Sequence, residues 1–185
     1  MLDDVYRDTE SKMGKALEAT RSDFASIRTG RASPALLDRI HVEVYGTNSP
    51  LKSLASVNSP DGRSLVVTAY DKSNVNAIRK AIETSDLGLN PNVDGATIRL
   101  AIPQLNEERR KDLAKLVKKK SEEHKVAVRN LRHKAIDEIK DLAKKHVITD
   151  DQIKRGQDHV QKITDKYVKQ IDELVVHKEK EIMEV

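Results

Sequence analysis

The chain of 185 residues has no cysteine, no tryptophan, one phenylalanine and four tyrosines. Without cysteine there is no disulfide framework, no thiolate zinc site and no thiol nucleophile. With so few rings, any core must be aliphatic. No apolar run reaches the roughly 18 residues a membrane-spanning helix needs. The opening MLDDVYRDTE lacks the basic and apolar regions of a signal peptide. A mildly basic, soluble, cytoplasmic protein without membrane contact is the expectation.

Proline is missing from two long stretches. All five prolines (34, 50, 60, 91 and 103) and four of the seven glycines fall within 31–104. The flanks 1–30 and 105–185 hold 49 charged residues in 111, and the middle 74 residues hold only 15. Helices accept charge on their wet faces and exclude proline, whereas strands and turns use Pro and Gly as punctuation. The expectation is therefore an α+β chain of two domains. An antiparallel three-helix-bundle domain is built from 1–30 and 105–185, and a small α/β sandwich-like domain, 31–104, is inserted into it.

Three helical stripes with steps of three and four are legible. The first runs over 2–29 through Tyr6, Thr9, Met13, Leu17, Thr20, Phe24 and Ile27, with Gly30 as the residue that ends it. The second runs over 106–146 through Leu113, Val117, Val128, Leu131, Ala135, Ile139 and Leu142, with Ser121 and His124 filling its weakly apolar middle. Asn106 is its N-cap, followed by Glu107 and Glu108 at the positive end of the helix dipole. The third runs over 150–184 through Ile153, Val160, Ile163, Tyr167, Ile171, Leu174 and Ile182, opened by the capping box Thr149-Asp150-Asp151-Gln152. The short connection at 147–149 favours a hairpin within one molecule over a long coiled-coil oligomer, so a monomer is expected.

In the middle segment, Ile40, Val42 and Val44 alternate with His41, Glu43 and Tyr45 as a half-buried strand ending at Gly46. Pro60-Asp61-Gly62 and Asp94-Gly95 are turns, 65–70 and 97–102 are strands, and 74–84 is a helix. This domain is expected to be the less stable of the two. It is tethered twice, through Gly30, Arg31, Ala32, Ser33 and Pro34 and through 102–106 with Pro103, Gln104 and Leu105. A double tether of this kind suits a hinge.

The residues offer no phosphate-cradling glycine loop, no nucleophile elbow and no helical zinc pair among the six histidines. His124, on an apolar stripe, reads as a satisfied interior histidine. Asp150 and Asp151 are explained by their place in a helix's first turn. Neither enzymatic activity nor a cofactor or metal is expected. The informative polar feature is charge: the net charge is +6 over 105–148 (14 basic, 8 acidic residues) and −2 over 149–185 (7 and 9). On a helical wheel Lys111, Lys115, Lys118, Lys125, Arg129, Arg132 and His133 fall within about 60° of one meridian, about 120° from the apolar stripe. Such a row should face solvent, interrupted mainly by Glu122. Its excess charge exceeds what i, i+4 pairing absorbs, and arginines suit phosphate. Without interleaved aromatics it should read structured RNA by shape and backbone and not by stacking on single strands. A helical adapter without RNA is the rival reading.

Beyond this, the stretches IRTGRASP (27–34), YGT (45–47), SDLGLNP (85–91), PQLNEERRKDLAKL (103–116) and VAVRNLRHKA (126–135) together resemble the bacterial ribosome recycling factors over the whole chain. Asn106 stands where that family commonly has Thr, and His133 where a second Arg is common. The resemblance implies an L-shaped, tRNA-like molecule whose bundle arm binds large-subunit ribosomal RNA of the post-termination ribosome. It further implies that elongation factor G, hydrolysing GTP, pushes the small arm about the hinge and splits the ribosome into subunits, releasing it from mRNA. On that basis Arg110, Lys118, Lys125, Arg129, Arg132 and His133 are the candidate RNA-binding residues. Arg110 is carried over from the family and lies nearer the apolar stripe than the row.

Overall fold

A computed structural model describes residues 1–184. It divides into two compact units. The first comprises Met1–Phe24 and Ala114–Glu179, and the second comprises Ala25–Leu113 together with the chain from Lys180 on. The sheet-bearing unit thus takes in more than the segment 31–104.

The first unit is made of α1 (Leu2–Ala25), most of α4 (Glu107–Lys144) and most of α5 (Asp150–Met183). Its core is aliphatic, as the scarcity of rings requires. Met13 and Leu17 of α1, Val128 of α4, and Ile163, Tyr167 and Ile171 of α5 form one cluster. Val5, Ala135, Ile139 and Val160 form a second. The caps form as the sequence dictates. Asn106 Oδ1 accepts from the Arg109 amide at 2.7 Å. Thr149 and Gln152 bond reciprocally, amide to Gln152 Oε1 at 2.8 Å and amide to Thr149 Oγ1 at 3.3 Å. Between them α4 closes in a left-handed C-cap: His146 has φ 53°, and the Val147 and His146 amides donate back to the Leu142 and Ala143 carbonyls.

Helix α1 does not run to residue 29, and Gly30 does not end it in the left-handed conformation. The helix stops at Ala25, and Gly30 is absent from the residues with positive φ. Tertiary anchoring outweighs local propensity here. Ile27 and Thr29 are buried beyond the helix end, where the Thr29 hydroxyl donates to Glu181 Oε1 at 2.9 Å.

In the second unit, β1 (His41–Val44) and β2 (Thr47–Pro50) form a hairpin of their own. The four strands β3 (Ala55–Asn58), β4 (Ser64–Ala69), β5 (Pro91–Asp94) and β6 (Thr97–Ala101) form an antiparallel sheet of order β3-β4-β6-β5. The short helix α2 (Leu51–Leu54) and α3 (Val75–Glu83) complete it. Leu65 opposes Leu100 and Val67 opposes Ile98 across β4 and β6. All four are buried with Ile78 and Ile82 of α3. The sequence signals for β1, β4, α3 and β6 hold to within one residue at either end, except that the first strand stops at Val44 and Tyr45-Gly46 is a turn. The strands β2, β3 and β5 had no signal, since TNSP, ASVN and PNVD lack alternation and β-branched density.

The three helices of the first unit meet closely at Gly156 of α5. A Cβ there would lie 3.1 Å from Ile139 Cδ1, 3.3 Å from the Tyr6 hydroxyl and 3.5 Å from Leu2 Cδ2. Gly156→Ala should be near neutral, because the helix propensity it gains of about 1 kcal/mol is spent on the tight contact. Gly156→Leu should destabilise by about 1–3 kcal/mol through overpacking, measured as the shift in urea midpoint. Equal stability of the leucine variant would refute the close approach.

Candidate nucleic-acid interface

The basic row of α4 is positioned by its aliphatic stripe. With Val117, Val128, Ala135 and Ile139 fully inside, the opposite side of the helix must be wet. Lys118, Arg129 and His133 are exposed, as are Lys111 and Lys115. Lys111 pairs one turn back with Glu107 at 3.1 Å. Arg129, 45% exposed, is 3.9 Å from Glu122, a loose contact that leaves its guanidinium accessible.

Two members depart from the solvent-facing expectation. Lys125 is only 13% exposed and lies between helices, 2.5 Å from Asp172 of α5 and 3.5 Å from Glu122. Arg132 is half-buried and donates from Nη1 to Gln161 Oε1 at 3.1 Å, and Gln161 in turn donates to Asp165. A wheel drawn for one helix does not show its neighbour: the edge of the row runs alongside α5, whose acidic and amide groups take up Lys125 and orient Arg132. The hydrogen bond to Asp172 holds the Lys125 ammonium pKa above its ordinary value, against the smaller lowering by burial. Lys125 is therefore a strut between helices in this structure.

Elsewhere charge is absorbed locally. Asp23 of α1 receives both Lys120 at 2.7 Å and His124 Nε2 at 2.8 Å. His124 is thus the satisfied interior histidine that its place on the stripe implied.

A second cationic group lies in the sheet-bearing unit, at the start of α4. Arg110 is half-buried, and its Nε is enclosed without a hydrogen-bond partner; Arg28 Nη1 is in the same condition. Burial, and then the charge of Arg109, pull the Arg28 pKa below the usual guanidinium value. Those two N–H groups are shut off from solvent, so they are buried donors without a partner, while Arg109 beside Arg28 is exposed. Of these three only Arg110 was foreseen. Arg28 and Arg109 were visible in IRTGRASP and NEERRKD, but neither shares the meridian of the row.

The residues of the double tether are also brought together. Gly30, Arg31 and Gln104 line one cavity of about 190 Å³ with Asp61, Gly62, Arg63, Glu181 and Glu184. Arg31 pairs with Glu184. Ser33 caps a single turn at Pro34–Leu37. Ala32 donates to the Gly62 carbonyl at 2.9 Å, and Ile102 to that of Arg63 at 2.9 Å. Leu105 is buried, and Pro103 is exposed.

Comparison with known proteins adds the following. The family model described as ribosome recycling factor matches residues 20–183. The ribosome-recycling factor of Heliobacterium modesticaldum is 50% identical over 185 residues, covering all of both chains. That of Natranaerobius thermophilus is 52% identical over 181 residues, 98% of each chain. Among solved structures, a solution structure of the ribosome recycling factor aligns with TM-score 0.77 at 42% identity, covering 100% of this chain and 98% of that one. A T. thermophilus ribosome recycling factor, from models of it and E. coli elongation factor G bound to the E. coli post-termination complex, aligns with TM-score 0.69 at 46% identity over the full length of both.

The strut makes a pH prediction. Lys125→Met should cost about 1 kcal/mol at neutral pH, the scale of a half-screened ion pair. Because the folded pKa of Lys125 is raised, the contribution is whole below the unfolded lysine pKa of about 10.4 and is lost as pH rises through the folded value. Urea unfolding of wild type and variant should differ at pH 7 and converge once the pH has risen through the raised folded pKa of Lys125. A gap that persists there would mean the loss is packing and not charge.

Proposed function

Since the chain belongs to the ribosome recycling factor family, we propose that it acts after translation termination, binding the large-subunit ribosomal RNA of the post-termination ribosome and, with elongation factor G and GTP, promoting its separation into subunits and its release from mRNA. The observation that carries the RNA-binding part is the incompletely neutralised cationic surface of α4. Lys118, Arg129 and His133 are exposed along it, Arg132 is held by the neutral amide of Gln161, and Arg110 at its start is half-buried. Paired surface charges need no ligand, whereas these groups gain most from phosphate oxygens. No helix among the described residues is long and apolar enough to cross a membrane.

In this reading the chain works as a monomer, needs no cofactor and makes or breaks no covalent bond; GTP is hydrolysed by elongation factor G. The bundle domain, 1–30 with 105–185, holds the RNA, and the small domain, 31–104, receives the push. Gly30, Arg31, Ala32, Ser33 and Pro34 on one strand, and Pro103, Gln104 and Leu105 on the other, are the joint. Val185 lies outside the described residues. Lys125 contributes mainly by fixing α4 against α5 and less by direct contact.

Two experiments test this. A charge-assisted contact to phosphate contributes about 1.5–3 kcal/mol, so Arg132→Ala should weaken binding to post-termination ribosomes about tenfold to a hundredfold. It should also lower the slope of log affinity against log salt by about one unit, with helicity unchanged by circular dichroism. Unchanged affinity would remove Arg132 from the interface. In the second, residues 31–104 are replaced by a short Gly/Ser linker. The clusters around Met13 and Ile139 lie wholly outside the deletion, so the bundle should fold and bind ribosomes but leave them intact in a light-scattering assay with elongation factor G and GTP. Splitting by this protein would overturn the lever reading.

A further inference from the structure

The β1–β2 hairpin breaks two local rules at one residue. Val44 opposes Thr47, so the loop is the two residues Tyr45 and Gly46, both with positive φ, 52° and 72°. That is the turn whose backbone asks for Asn-Gly or Asp-Gly, because a bulky side chain in the left-handed region meets its own backbone. The other two-residue hairpin of the unit obeys the rule: Asp94 opposes Thr97, and Gly95 at the first loop position has φ 62°. The other positive-φ side chain in the described residues, His146, is explained by the C-cap of α4.

Tyr45 is also 85% exposed, the highest value among the exposed large apolar side chains. Exposure of one ring is unremarkable in itself. Tyr70 is 71% exposed, but it borders a cavity with Leu37 and Leu51 and its φ is not positive. Tyr45 gains nothing from the fold in exchange for its backbone conformation. A residue that costs stability and packs against nothing inside the chain is placed to meet something outside it.

We propose that the tip of this hairpin is a docking knob for a protein surface, with the Tyr45 ring as the anchor that enters an apolar slot on the partner. This rests on the recycling reading and adds the partner class and anchor for the small domain. The charge around the tip decides between protein and RNA. From Ile40 to Leu51 there is no lysine or arginine, and Glu43 is the one formal charge. It is exposed across from Asn48. A knob without cations beside a carboxylate is repelled by a phosphate backbone and suits a slot with a basic or hydrogen-bond-donating rim. A rigid aromatic on a tight turn loses little entropy on docking and is a common hot-spot residue.

Tyr45→Asn tests this in the full chain, because asparagine suits the turn and deletes the ring. It should melt no lower than wild type and bind post-termination ribosomes with unchanged affinity, yet split them at least about tenfold more slowly with elongation factor G and GTP. In parallel, a benzophenone amino acid at position 45 should cross-link, on purified post-termination ribosomes with elongation factor G, to a protein chain. Cross-links only to RNA, or none above background, would overturn the proposal, as would splitting at the wild-type rate by Tyr45→Asn. Failure of wild type itself to split ribosomes would sink the recycling reading, a separate result.

Discussion

Everything in the bundle follows from having to bury aliphatic side chains with almost no rings to help. Each stripe must keep its three-and-four spacing for the length of the helix, because no single large residue can compensate for a missed contact. Met13, Ile139 and Ile171 are fully buried along these stripes, and at Gly156 the side chain is removed altogether so that the helices can meet. A core so narrow leaves most of each helix circumference to water. That is why a chain with 35% charged residues folds at all, and why so much charge is available to point outward.

How that charge is distributed then matters more than its total. The acidic residues facing α4 do not neutralise it evenly. Asp23 takes Lys120 and His124, Asp172 takes Lys125, and Gln161, which is neutral, orients Arg132 without cancelling its charge. The ion pairs of Lys120, His124 and Lys125 thus fix helix against helix, while Arg132 meets a neutral amide and Arg129 only a loose contact with Glu122. The distinction between Lys125 and Arg132 is one of partner: a carboxylate consumes a cation, while an amide oxygen positions it.

The same distinction explains what the sequence could disclose. Helix starts are written locally, so Asn106 and the Thr149/Gln152 box were legible to the residue. The helix end at Ala25 was not, because it is decided by Ile27 and Thr29 finding burial and by Glu181, 152 residues away in the chain. Leu65, Val67, Ile98 and Leu100 announce their strands by alternation. The strands β2, β3 and β5 exist because a neighbour offers hydrogen bonds, and TNSP carries no trace of that. For the candidate interface, Arg129 and Arg132 share a meridian that angle alone discloses. The burial of Lys125 depends on α5, and the pairing of Arg28 with Arg109 as neighbouring charges depends on residues 81 positions apart.

The residues proposed as a joint are held unevenly. Arg31, Ala32 and Ser33 are not loose: Ala32 is buried and bonded to Gly62, and Ser33 caps the following turn. Ile102 is likewise bonded and buried. These anchor each strand to the sheet-bearing unit through backbone hydrogen bonds enclosed by aliphatic side chains, which are costly to break. The contact of Arg31 with Glu184 is of another kind, whereas buried Thr29 keeps its hydrogen bond to Glu181. The Arg31 and Glu184 side chains are about half exposed, and exposed ion pairs contribute roughly 0–1 kcal/mol. Within the sheet-bearing unit the chain around Gly30 is therefore held chiefly by the enclosed bonds of Ala32 and Ile102 and by buried Thr29, and only weakly by the exposed Arg31–Glu184 pair.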